Sequence, residues 1–159
     1  MGAKGAGPAP RRVRWRPCRE ATRGAAASTL RAVTSIVLQG DPAPDGPSSE
    51  PAVSADGRWV AFISEASNLL GGDPIADPNG FADVFLVDTE TATIRLVSSA
   101  AGVSADGPSV DVDISADGRF VAFETFATNL VPADANGAAG DIVLFDAWSG
   151  ELTLVSRRG

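Results

Sequence analysis

The residues with metal-ligand character lie in two acidic loops. Asp77-Pro78-Asn79-Gly80 runs on to Asp83, with Asp73 four residues before Asp77, and Asp134-Ala135-Asn136-Gly137 runs on to Asp141. A D-x-N-G turn sets side-chain oxygens at alternate positions around a glycine that permits the bend, which is half of a calcium loop. The other half, a third alternate oxygen and a terminal bidentate glutamate, is missing, and Gly140 shifts the second loop by one residue. Asp77, Asn79, Asp83, Asp134, Asn136 and Asp141 are therefore weak calcium candidates. The competing reading makes Asp77 and Asp134 Asx turns and has Asp83 and Asp141 pin strand starts through backbone N–H groups. On that reading no metal or other cofactor is expected.

Covalent catalysis has little to work with. The chain has no histidine, which removes a Ser-His-Asp triad, a Cys-His pair and imidazole metal ligation. Lys4 is the only lysine and Cys18 the only cysteine, both in the N-terminal arm. The expectation is a protein that is not an enzyme.

What must position these loops is a repeat. DGPSSEPAVSADGRWVAFISEASNLL (Asp45 to Leu70) recurs as DGPSVDVDISADGRFVAFETFATNLV (Asp106 to Val131), displaced by 61 residues and identical at 15 of 26 positions. Such repetition means one supersecondary unit used more than once, each copy covering its neighbour's apolar face.

Each copy reads as four antiparallel strands. Asp56-Gly57 and Asp117-Gly118 predict type I′ hairpins joining Glu50–Ala55 to Arg58–Ser64 and Asp111–Ala116 to Arg119–Thr125. WVAFIS and FVAF are apolar at alternate positions on both faces, as are DVFLVD (Asp83–Asp88) and DIVLFD (Asp141–Asp146), so these strands are expected to be covered on both sides. TIRLVS and ELTLVS alternate, Ile94 and Leu96 opposite Arg95, and Leu152 and Leu154 opposite Thr153, as half-exposed edge strands do. Trp59, Phe62, Phe120 and Phe123 read as core. Arg58 and Arg119 are expected to face solvent or an inter-blade carboxylate. Trp148, in a turn, reads as a contact anchor or a cover for the sheet edge. The fold class is all-β: two four-stranded antiparallel propeller blades, an incomplete β-propeller.

SADGRWVAF and SADGRFVAF, then ASNL and ATNL, then DPNGFADVFLVD and DANGAAGDIVLFD, resemble repeats of the TolB-like six-bladed propeller family. The match runs from about Asp45 to Ser156 and holds two repeats. The resemblance implies blades around a central channel, in exported bacterial proteins, periplasmic or extracellular, with loops or the channel mouth used for protein contacts. Such propellers also precede serine-peptidase domains in some families, although no GxSxG elbow is present here.

The chain departs from a closed ring, which takes roughly four to eight blades. Two blades should leave one apolar face bare on each side, inviting association with a protein partner or with itself. A fragment of a larger propeller is the favoured reading; three copies making six blades, or two sheets closing as a sandwich, are the alternatives. The organisation expected is a disordered arm over 1–35, blade 1 over 36–100 and blade 2 over 101–159. Eight of the 13 basic residues and one of the 20 acidic ones fall within the arm. The body is thus strongly acidic, which argues against nucleic acid as a partner. Arg31 interrupts the one apolar stretch that could serve export, and no segment is apolar for the roughly 18 residues a membrane span needs.

Overall fold

The computed structural model describes residues 44–70, 79–132 and 137–156. The arm over 1–35, with Lys4 and Cys18, lies outside the described residues, as do Asp77, Asp134 and Asn136. Among the described residues the regular structure is all strand, without a helix.

β-Branched and aromatic runs between Gly- and Asp-containing turns set the strands. β1 (Ser48–Val53), β2 (Trp59–Ser64), β3 (Asp83–Asp88) and β4 (Thr93–Leu96) form one antiparallel meander in the order β1-β2-β3-β4. A small hairpin, β5 (Ser99–Ala100) and β6 (Val103–Ser104), leads on. β7 (Ser109–Ile114), β8 (Phe120–Thr125), β9 (Asp141–Asp146) and β10 (Leu152–Leu154) repeat the meander in a second sheet. The two third strands match DVFLVD and DIVLFD residue for residue. The connecting hairpin was not foreseen: it turns at Ala101-Gly102, both at positive φ (51° and 79°), and alanine gives no sequence signal for that conformation.

The Asp-Gly hairpins are not type I′ turns. That turn needs positive φ at both central residues, but only Gly57 and Gly118 have it (75° and 74°), not Asp56 or Asp117. The chain instead turns through the four residues Ala55–Arg58, with Ser54 N–H on Trp59 C=O and Gly57 N–H on Ser54 C=O, both 2.9 Å. The second copy does the same between Ser115 and Phe120. The aspartate is held out of the left-handed region by its own side chain. Asp56 Oδ1 accepts the Ser54 hydroxyl (2.6 Å) and the Arg58 N–H (3.0 Å), an Asx turn.

The sheets stack head to tail. Trp59, Ala61 and Ile63 of β2, with Val84 and Leu86 of β3, form what we term the trailing face of blade 1. They join one core with Val121, Phe123, Val143 and Phe145, which belong to the opposite, leading face of blade 2. β7 lies against β1, β2 and β3 at one end of this interface. A trailing face on a leading face is the packing of successive propeller blades.

Two expectations about covering need correction. β3 is buried at every residue, so blade 1 is covered on both sides as its sequence demands. Its leading face is not bare: Val60 is 1%, Phe85 0% and Val87 3% exposed, and the Phe62 and Phe85 rings stack at 5.7 Å. In blade 2 only the leading face is buried. β8 and β9 alternate between buried and accessible residues along their length. One open face remains, not two, and it is the trailing face of blade 2.

Each blade is also tied to its own opening residues. Asp45 accepts the Ser67 N–H (2.8 Å) and hydroxyl (2.6 Å), while its own N–H reaches Asn68 Oδ1 (3.1 Å). Asp106 makes the same three bonds with Thr128 and Asn129. This latch draws the two segments so close that a Cβ on Gly46 would lie 2.6 Å from the Glu65 carbonyl carbon, and one on Gly107 2.7 Å from the Phe126 carbonyl oxygen. Backbone cannot yield as a side chain can. Gly46→Ala and Gly107→Ala should each destabilise by about 1–3 kcal/mol, read as a fall in the urea midpoint at unchanged m-value. A midpoint within error of the parent would show the close approach to be unimportant.

Candidate interaction surface

The acidic loops end in hydrogen-bond networks. Asp83, fully buried at the start of β3, accepts the Ser98 hydroxyl and Asn79 Nδ2 (2.8 Å). Ser98 Oγ in turn accepts the Val84 N–H (3.0 Å). Asp141 has the same arrangement, with Ser156 Oγ donating to it at 2.7 Å and accepting the Ile142 N–H at 3.2 Å. The expected backbone pinning is thus relayed by a serine beyond the fourth strand. Asn79 presents its amide nitrogen to Asp83 and to Ala105 C=O (2.8 Å each), and its oxygen to the Phe81 N–H (2.7 Å). Of the six calcium candidates, then, Asn79 and Asp83 are brought together, Asp141 lies apart in blade 2, and Asp77, Asp134 and Asn136 are outside the described residues.

The S-x-D-G-R segments are wired into their own sheets. Ser54 Oγ accepts the Trp59 N–H (2.9 Å) and donates to Asp56, and Ser115 does the same with Phe120 and Asp117. Arg58 forks onto Asp88 through Nε (3.1 Å) and Nη2 (2.8 Å) and pairs with Glu90 at 2.9 Å. Arg119 grips Asp146 likewise, with Nη2 at 2.7 Å. These carboxylates end the third strand of the same blade, so the arginines, each still partly open to solvent, pair within their own blade and not across blades. A planar guanidinium matches a carboxylate in this two-point geometry. Asp88 and Asp146 then accept N–H groups of the next turn, from Glu90 (2.9 Å) and Trp148 (2.9 Å). Arg119 foremost, with the Trp148 N–H behind it, holds the Asp146 carboxyl at about 2, below the usual 3.8. Asp88 is lowered for the same first reason, its bond to Arg58.

Arg95 departs from its expected place on an exposed edge. It pairs with Leu86 and so lies on the trailing side of blade 1, reaching across to blade 2. Its guanidinium sits over Trp59 (5.9 Å) and Phe145 (5.2 Å) and donates to Ala147 C=O at 3.0 Å. Burial lowers its affinity for a proton. Further backbone bonds cross the same seam, Ser109 N–H to Ala82 C=O (2.8 Å) and Ala55 N–H to Ala116 C=O (2.9 Å). The Asp111 N–H also reaches Glu50 Oε2 (2.7 Å). Trp59 packs on the hairpin of blade 2, where a Cβ on Gly118 would fall 2.1 Å from its ring. Arg95 is the connection that its edge-strand pattern concealed.

The open trailing face of blade 2 is the accessible counterpart of this seam. It carries Phe120 and Ala122 of β8 and Ile142 and Leu144 of β9, with Ile142 41% exposed. Trp148, 72% exposed, extends it, because Arg119 lies 4.6 Å from the Trp148 ring and 4.8 Å from Phe120. Trp148 is therefore a prominent apolar group at the rim and not a cover closed over the edge. Glu124 stands where blade 1 has Ile63. Comparing the two repeats position by position would have flagged that substitution.

No family model matches the chain, and no curated protein matches its sequence. Among solved structures it is similar to TolB from Acinetobacter baumannii, at 17% identity and a TM-score of 0.43 over 70% of this chain and 22% of that one. It is also similar to the β-propeller domain of the Trilobed protease from Pyrococcus furiosus, at 18% identity and a TM-score of 0.43 over 67% and 27%. A third is an acylaminoacyl peptidase from Pyrococcus horikoshii, at 16% identity and a TM-score of 0.37 over 69% and 18%. The chain thus spans 27% or less of the length of these proteins. Strand order, register and head-to-tail packing are what identify the two sheets as propeller blades.

The depressed Asp146 sets a direction for acid stability. Its carboxyl binds a proton more weakly folded than unfolded, so its contribution is present above the usual 3.8 and is lost as pH falls toward about 2. Asp146→Asn should lower stability at pH 7 and narrow the gap to the parent between about pH 4 and pH 2. Chemical denaturation at several pH values measures this. A gap independent of pH would show that the Arg119 fork does not act through charge.

Proposed function

We propose that this chain is a non-catalytic propeller segment that serves as a protein-interaction module, with the trailing face of blade 2 as its binding surface. One observation carries the reading: the same repeat position is buried against a neighbouring sheet in blade 1 and accessible in blade 2. An apolar sheet face of this kind, rimmed by an exposed tryptophan and by carboxylates, is what protein contacts cover. The missing histidine and the arm location of the sole lysine and cysteine support the non-catalytic part. So does the commitment of the S-x-D-G-R polar groups to turns and strand ends. The named likeness to TolB and to peptidase propellers is compatible with either a scaffold or a blade pair from a propeller-coupled hydrolase. A calcium-stabilised repeat is the weaker alternative, since Asn79 turns a donor, not an oxygen, toward Asp83.

The full chain should bind an environment-sensitive apolar dye, and the double variant Ile142→Lys, Leu144→Lys should lose most of that signal. Its circular dichroism should stay unchanged and its stability fall by no more than about 1 kcal/mol, because both side chains are accessible. Dye binding that survives the substitutions would refute the assignment of the surface. Ester or peptide hydrolysis above the buffer rate by the purified chain would refute the non-catalytic reading. A melting temperature raised by millimolar calcium and lowered by chelator would favour the calcium alternative.

A further inference from the structure

Asn79 joins two separate pieces of the chain through one side chain. Its amide nitrogen donates to Asp83 Oδ2 and to Ala105 C=O (2.8 Å each), and its oxygen accepts the Phe81 N–H (2.7 Å). The carboxylate and the carbonyl accept and the N–H donates, so the orientation of the amide is fixed and both of its hydrogens are committed. Asp83 is fully buried at the start of β3. Ala105 is 1% exposed in the stretch between β6 and β7, where its own N–H bonds Ser98 C=O (2.9 Å). Asn79 thus clasps the entrance of the third strand of blade 1 to the entrance of blade 2. The residue after it is an exposed glycine at φ 71°, with open space where a Cβ would stand. A backbone nitrogen with no side chain beside it is the least hindered nucleophile that a chain can set next to an asparagine amide.

We infer that Asn79-Gly80 is a self-modification site, where the chain converts Asn79 to aspartate or isoaspartate with water as the only co-reactant, and that the conversion releases the clasp between the blades. The Gly80 nitrogen attacks Asn79 Cγ. A new N–Cγ bond forms, the Cγ–Nδ2 bond breaks, and Nδ2 leaves as ammonia with the proton that the Gly80 nitrogen gives up. Water then opens the cyclic imide at either carbonyl. One opening restores the main chain as aspartate, and the other routes it through the side chain as isoaspartate; nothing is oxidised or reduced. The folded chain resists the first step, because Nδ2 leaves only once its bonds to Asp83 and Ala105 are broken. The rate therefore follows the opening of the clasp. The product in turn resists reclosure. Aspartate sets an oxygen where Nδ2 stood, against a buried carboxylate and a carbonyl, with no hydrogen to share among them. Isoaspartate adds an atom to the main chain and draws the side-chain oxygen away from the Phe81 N–H as well.

The test ages the full chain in mildly alkaline buffer, with and without denaturing urea, and reads the exchange of NH2 for OH by tandem mass spectrometry. Asn136-Gly137 carries the same dipeptide, and trypsin separates the two sites onto fragments 59–95 and 120–157. Asn79 should convert at least about tenfold more slowly in the folded chain than in urea, because the reaction waits on opening. Asp83→Ala removes one of the two acceptors and should speed conversion in the folded chain without changing the rate in urea. Asn79→Asp should lower the melting temperature by about 5–10 °C, and Asn79→Ala, which loses the bonds without adding a charge, by less. Should Asn79→Asp fail to fold, an aged sample answers in its place: converted chains should be the first digested in limited proteolysis. Equal rates folded and unfolded, an unchanged rate for Asp83→Ala, digestion of converted and unconverted chains alike, or Asn79→Asp melting with the parent or above Asn79→Ala would each overturn the inference.

Discussion

A β-sheet that is apolar on both faces has to be covered twice. At about 25 cal/mol per Å² of apolar area, an uncovered face forgoes free energy on the scale of a small domain's whole stability. This chain meets the requirement unequally. Blade 1 is enclosed on both sides, to the point that every residue of β3 is buried. Blade 2 shares its leading face with blade 1 and shows the other to solvent. Two repeats identical at 15 of 26 positions are thus buried unequally, the first on both faces and the second on one.

Packing supplies the attraction between the blades, but polar bonds set their alignment. Backbone bonds tie the hairpin tips and β7 across the seam, while Arg95 bridges Trp59, Phe145 and Ala147 C=O. Cation–π contacts that exclude water are stronger than exposed ones, each worth up to about 2 kcal/mol. Within each blade a different arginine, Arg58 or Arg119, joins the hairpin tip to the end of the third strand. Blade rigidity and blade alignment therefore rest on separate groups.

Much of this was legible because the repeat is strict. The third strands were bounded by their aspartates, and Phe123 was readable as core from alternation, whereas Phe120, read as core on the same signal, stands on the accessible face of blade 2. The turn type was misread because Asp-Gly carries two signals, positive φ at both residues or an Asx turn into a glycine. Ser54 and Ser115, five residues before the strand N–H each one accepts, tip the balance toward the second. The partners of Arg58 and Arg119 lie a strand away, at 30 and 27 residues' separation, beyond the reach of local pattern. The open face was hidden for a subtler reason. Apolar letters at both parities say that a strand can be covered twice, and only Glu124 in place of Ile63 hints that one copy is not.

The latches at Asp45 and Asp106 and the serine relays at Ser98 and Ser156 have an evolutionary corollary. Each set begins and ends inside one repeat, from the first aspartate to the serine beyond the fourth strand. A stretch of DNA covering that span transports a complete wiring diagram. Unequal crossing-over could therefore lengthen or shorten such an array by whole units, leaving every inherited unit with its own internal bonds and asking selection to refine only the seams.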